Sequence, residues 1–262
     1  MLNLDRIESL FRLRRAAALA ATTALAFVLS GSGRPIGTLG PGFFDPAKPP
    51  PPEGMIRPTP GSWDAVHPPR GYRVVILTAG DDHPTTTLVT AVKQWADAEH
   101  VRLETIAVPV PRLFVDGIVE AIDLRPDLVI CAGNALVDAL ALVTASHLDQ
   151  RFLVVGAQLP EPTVNVTAAI WRGASSRGRE VPDTAVSFDP TAFTPERADA
   201  AIRAGVASVL SDLTGIVIWL DEVAQDDRSR VLPRREDSSA RSIDRSDFRW
   251  RFEGRRFIRQ TD

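Results

Sequence analysis

The chain has one cysteine, Cys131, two methionines and one tyrosine among its 262 residues. A single cysteine excludes an intramolecular disulfide. Cys131 closes an apolar run with no base named near it, so it reads as a small buried core residue rather than a catalytic thiolate. Lysine is almost missing as well. Only Lys48 and Lys93 occur, and the remaining basic charge is arginine. The net charge of −3 builds no field that calls for a nucleic acid. No Gly-x-Gly-x-x-Gly or Gly-x-x-x-x-Gly-Lys follows the first strand of the folded region, which removes support for a dinucleotide or P-loop site. No Gly-x-Ser-x-Gly elbow occurs either. The longest apolar run, Ala16–Leu29, is shorter than the ~20 residues a spanning helix usually takes.

What is present divides the chain into four parts. Residues 1–33 carry Arg12, Arg14 and Arg15, then Ala16–Leu29, then Ser30-Gly-Ser-Gly33. A basic start, an apolar middle and small residues are the layout of a signal or membrane-anchor segment. Residues 34–70 are rich in Gly and Pro, including Pro49-Pro-Pro-Pro52, and read as a linker without a core of its own. Trp63 and His67 within it read as packing or incidental. Residues 71–221 read as an α/β domain. Residues 222–262 are a charged tail, and the segment 225–247 has too few large apolar residues to hold a core. The run 248–258 alternates aromatics with arginine about a turn at Glu253-Gly254, which predicts a β-hairpin. Acids interleaved with the arginines dilute its field, so no nucleic-acid partner is expected.

Within 71–221 short apolar runs alternate with helical spacing. Strands are expected at Tyr72–Thr78, Val101–Val108, Asp127–Ala132, Phe152–Gly156, Val164–Trp171 and Gly215–Leu220. Helices are expected over Thr86–His100, Leu113–Ile122, Leu136–His147 and from Thr194 to about Leu213. Pro84 suits a first helical turn capped by Asp82 or His83, and Thr194-Pro195 repeats that signal. Nearly continuous apolar strands separated by helices predict a three-layer parallel sheet of flavodoxin-like type, strand order 2-1-3-4-5.

Such a fold binds ligands beyond the carboxyl ends of its strands. Asp81, Asp82, His83 and Thr85 follow the first strand. Asn134 and Asp138 follow the third. Trp171 and Arg172 follow the fifth. Acids and an amide would hydrogen-bond the hydroxyls of a small polar or nucleoside-like solute, and Trp171 would stack on a base. Capping and turn roles compete for Asp82 and Asn134. Asp81-Asp82-His83 also raises a metal-assisted hydrolase as a distant alternative. However, neither His67 nor His100 stands at a spacing that completes a metal site. Gly173-Ala-Ser-Ser-Arg-Gly178 has the composition of an anion nest.

Three blocks are similar to the basic membrane protein family of bacterial ABC-transporter solute-binding lipoproteins. They are Val74-Val-Ile-Leu-Thr-Ala-Gly-Asp-Asp-His83, Pro126-Asp-Leu-Val-Ile-Cys-Ala-Gly-Asn-Ala-Leu-Val-Asp-Ala139, and Gln150–Gly156 with Asn165-Val-Thr-Ala-Ala-Ile170. Thr194–Trp219 resembles the family's closing helix and strand more weakly. The resemblance implies one lobe of a type 1 periplasmic-binding fold, an extracytoplasmic place in the cell envelope, a small solute and no catalysis or cofactor. The chain departs from the family in four ways, one of them a loop at 172–190 in place of the helix that follows the family's fifth strand. Sequence for a second lobe is lacking, which a partner in trans would supply. Gly156-Ala157 replaces the family's Asp after the fourth strand. Ser32 stands where the family's lipidated Cys would stand, so lipidation at that position is excluded. A structural or protein-interaction domain with a decayed pocket is the alternative.

Overall fold

The computed structural model describes residues 35–176 and 188–220, and the backbone of 250–253 and 256–259. The signal or anchor segment and the charged stretch before the hairpin lie outside the described residues. The chain divides into two units, Met1–Ala224 and Gln225–Asp262.

In the first unit, seven strands form one sheet: β1 (Met55–Ile56), β2 (Arg73–Thr78), β3 (Arg102–Ala107), β4 (Leu128–Ala132), β5 (Phe152–Val155), β6 (Val166–Ile170) and β7 (Val217–Trp219). Their order is β1-β7-β6-β5-β4-β2-β3, and every pairing is parallel. The expected 2-1-3-4-5 order is present as β3-β2-β4-β5-β6. The far side is longer than expected, because β7 and then β1 add to it. Among the described residues the α-helices are α1 (His83–Ala98), α2 (Phe114–Asp123), α3 (Val137–Val143) and α4 (Pro195–Leu210). The third helix is shorter than its apolar spacing predicts. After Val143 the chain tightens into a 3-10 turn over Thr144–Ser146.

Two buried clusters mark the two faces of the sheet. Val74, Ile76, Leu88, Val92, Trp95 and Ile202 place α1 and α4 on one face. Val75, Leu77, Ile118, Val137 and Leu140 place α2 and α3 on the other. The strands supply the continuous apolar runs that burial on both faces demands. Asn165 secures the amino-terminal edge, its amide donating to the carbonyls of Thr144, His147 and Gln150.

Residues 35–70 correct the reading of a linker without a core. Phe43, Ile56, Trp63 and Val66 are buried in the α1/α4 cluster. The backbone of this strap is also stitched in. Glu53 N donates to Gly215 O at 2.7 Å, Val217 N to Gly54 O at 3.0 Å, and Ile36 and His67 exchange a pair of bonds. Gly37 has φ +88°, and a Cβ there would sit 1.7 Å from the Ala65 carbonyl oxygen, so only glycine fits. His67 is not incidental: Nδ1 lies 2.9 Å from a Glu99 carboxylate oxygen at the end of α1. Arg203 of α4 reaches the same carboxylate at 3.5 Å and bonds Asp199 through Nε. Proline content misleads here because it limits backbone hydrogen bonding without preventing side-chain burial.

In the second unit, β8 (Trp250–Glu253) and β9 (Arg256–Arg259) form an antiparallel pair, with Phe252 opposite Phe257. The expected antiparallel pairing is present, but Glu253 was expected in the turn. Glu253 belongs to the strand, opposite Arg256.

Candidate functional site

The direction of winding reverses between β2 and β4: β3 lies outward of β2, while β5, β6 and β7 run the other way from β4. In open parallel sheets the loops on either side of such a reversal diverge and leave a crevice at the carboxyl ends. Here those loops are residues 79–82 and 133–136, so Asp81, Asp82 and Asn134 flank the switch point.

Asp82 is the N-cap of α1. Its Oδ1 accepts from the Thr85 amide at 2.9 Å and its Oδ2 from the Thr85 hydroxyl at 3.1 Å. Pro84 occupies the first turn, where its missing N–H costs nothing. Thr85 is buried, whereas Asp81, Asp82 and His83 are exposed. A Cβ on Gly133 would lie 3.6 Å from Thr85 Oγ1 in the first turn of α1. A Cβ on Gly80 would meet only Asp82 Oδ2, at 3.5 Å. Both glycines hold positive φ, +90° for Gly80 and +80° for Gly133.

The strand ends beneath are small. Thr78 is paired in register with Ala107 and Ala132. Thr78 shares the face of Val74 and Ile76, which α1 covers. It is 7 % exposed, and its hydroxyl has no hydrogen-bond partner among the described residues.

A polar chain leads on from Asn134. Its Oδ1 accepts from Ser175 Oγ at 2.9 Å, and Ser176 Oγ donates to Gln158 at 3.0 Å. The amides of Ser175 and Gln158 bond across this extension of β5 and β6. Asp138 sits exposed in the first turn of α3, and both it and Arg172 are already engaged in polar interactions. The first part of the glycine-serine run 173–178 is thus spent on the protein's own side chains.

Trp171 is a correction. It was expected to offer a stacking face, yet it is 1 % exposed. Its Nε1 donates to Ala192 O at 2.9 Å, and Phe193 meets it edge-on at 5.0 Å. Packing, not stacking on a ligand, is what this indole does. The exposed aromatic at this edge is Phe188, 53 % exposed and 5.7 Å from Phe193. Phe193 in turn packs over Gly156 and Leu88. Sequence reading missed Phe188, Ser175 and Gln158. The aromatic spacing of Phe188 and Phe193 about Asp189-Pro190 was the one signal available for Phe188.

Among the described residues no group of three or more His, Cys, Asp or Glu side chains is arranged to hold a metal ion. Cys131 is fully buried, and burial pushes its thiol up to about 12. An open hollow of about 810 Å3 lies elsewhere, lined entirely by strap residues that include Phe44, Lys48, Met55 and Arg57. It shares no residue with the switch-point loops. No helix among the described residues is long and apolar enough to cross a membrane.

No family model matches the chain, and no curated protein matches it. Solved structures similar to it include an ABC transporter solute-binding protein from Aeropyrum pernix K1, at 15% identity and TM-score 0.36, covering 39% of this chain and 29% of that one. A second, an ABC transporter solute-binding protein from Conexibacter woesei DSM 14684, has 18% identity and TM-score 0.35, with 38% and 35% covered. A type II dehydroquinase from Butyrivibrio crossotus DSM 2876 has 12% identity and TM-score 0.29, with 62% and 97% covered. The chain thus spans about a third of the length of the two solute-binding proteins. These TM-scores are all below 0.5, so the α/β assignment rests on the all-parallel sheet and its strand order.

Proposed function

We propose that this chain is a non-catalytic, solute-binding-like module exported to or attached at the cell envelope. The basic membrane protein blocks named above support this, as does the signal-like layout of residues 1–33. The feature that carries it is the switch point of the sheet, where the loops bearing Asp82 and Asn134 leave the carboxyl ends of β2 and β4. The ligand is a small polar solute held through hydroxyl or amine donors. Nucleoside binding through Trp171 loses its stacking partner, because that ring is core, and Phe188 takes over as the aromatic face. Binding by closure of two lobes would need a second lobe in trans.

The test is calorimetry with a panel of nucleosides, sugars and amines. Heat that disappears in Asp82→Ala and in Asn134→Ala supports the reading. No heat with any member, or heat untouched by both substitutions, sinks it.

A second reading, a protein-interaction domain, draws on one observation. Val115 and Val119 of α2 and Leu142 of α3 are exposed, Leu142 at 75 %. Loss of a pulled-down partner on Leu142→Asp, with Asp82→Ala silent, would favour it.

A further inference from the structure

The strap encloses a hollow of its own, away from the switch point. At about 810 Å3 it falls in the size range of small-ligand sites. Its lining comes from residues between 39 and 51 and from Met55, Ile56 and Arg57, at the edge strand β1. Backbone hydrogen bonds hold this lining in place. Thr59 N donates to Gly42 O at 2.9 Å, Lys48 N to Asp45 O at 3.0 Å and Gly54 N to Pro51 O at 2.9 Å. The prolines at 49–51 fix φ and stiffen the stretch between those bonds. Phe43 and Ile56 anchor the two parts of the lining in the core. The hollow is therefore preformed, which lowers the ordering cost of binding.

Its chemistry is two-sided. Phe44 and Met55 are partly buried and join the prolines as an apolar surface. Lys48 and Arg57 bring two positive charges to the same hollow. Neither takes part in an ion pair among the described residues. Arg57 is nevertheless held: its guanidinium carbon stands 5.5 Å from the centroid of the buried Trp219 ring. A guanidinium packed over a ring keeps N–H donors for a carboxylate. Asp45 is the acid of the lining, and its Oδ1 accepts from the Ala47 amide at 2.9 Å in a local turn. The lining thus carries net positive charge within a chain of formal charge −3.

We infer that the strap hollow is a binding site separate from the switch point, and that it takes a small organic acid with an apolar alkyl or aryl body. Arg57 and Lys48 receive the carboxylate. Phe44, Met55 and the prolines cover the body. The hollow shares no residue with the switch-point loops, so this assignment stands or falls apart from the solute-binding reading.

The experiment titrates the full chain by NMR with hexanoate and with phenylacetate, each against its primary amide, and with acetate. The readouts are the amides of Phe44 and Met55, with those of Gly80 and Gly133 as references. At least one of the two acids is expected to shift Phe44 and Met55 but not the two glycines. It should bind about fivefold more tightly than its amide, the scale of one part-exposed charge contact. Acetate should bind more weakly still. Lys48→Gln removes a charge from an exposed side chain and leaves the fold intact. It and Arg57→Gln are each expected to cut the preference for the acid severalfold. Lys93→Gln, an equal loss of charge at an exposed position of α1, is expected to leave it unchanged. An acid no tighter than its amide overturns the assignment, as does a preference untouched by both Lys48→Gln and Arg57→Gln. Acetate binding as tightly as hexanoate marks attraction of anions to the surface and also overturns it. So do shifts confined to Gly80 and Gly133, and so does the absence of any shift with either acid.

Discussion

The strap of residues 35–70 and the passage from β2 into α1, residues 79–85, are made from similar residues: glycine, proline, aspartate, threonine. They end in opposite states. The strap closes its polar groups onto backbone, as when Gly40 N donates to Ser62 O, and sinks Phe43 and Trp63 into the core. The switch-point loops keep Asp81 and Asp82 in solvent. Loop composition therefore does not tell a buried segment from an exposed one. What separates the two is whether large apolar side chains punctuate the glycines and prolines.

The sharpest way to break this contrast is Phe43→Ala. A buried Phe cut to Ala costs about 3–5 kcal/mol, measured by denaturant unfolding. A linker would show no change, and that result would return the strap to the status of a tether. Next comes alkali. Cys131 is pushed up to about 12 by burial, and Tyr72 is raised still further, by burial first and by Asp127 second. Groups raised in the folded state stabilise it below their unfolded values and lose that contribution as pH climbs. Stability should hold to about pH 8.5 and then fall, with a second decline beginning near pH 10. Cys131→Ala should delay the first decline, as thermal melts across pH would show.

Asp82→Ala removes the cap of α1 at a cost of about 1 kcal/mol. Asp82→Asn should cost little, so a large loss in the Asn variant would mean that the carboxylate serves stability. Smaller again is Glu99→Gln, which weakens the link from His67 and Arg203. That pair is partly exposed, so about 0.5 kcal/mol is expected, less at high salt. The smallest effect should be a slight gain from Thr167→Val, because it deletes an unpartnered buried hydroxyl.

Much of the sheet was legible in sequence because strands covered on both faces read as unbroken apolar runs, as in Leu128–Ala132. The cap at Asp82 and Pro84 and the one at Thr194 and Pro195 were equally plain. β1 was not, because two residues carry no periodicity. Its place is set by Gly215 and Val217, more than 150 residues later in the chain. The loops at the carboxyl edge of the sheet could be placed there from chain order alone. The fate of Trp171 could not, since a Trp after a strand looks the same whether Phe193 covers it or a ligand does.

The two-residue β1 has one more consequence. A parallel sheet that stopped at β7 would leave the amides and carbonyls of Val217–Trp219 unpaired at an edge, ready to template another chain. Met55 and Ile56 occupy that edge, and the prolines before them supply few donors with which to pass the invitation on. A chain cut to begin at Gly71 would keep every helix of the α/β unit and still be expected to clump. The strap thus covers the β7 edge of the sheet.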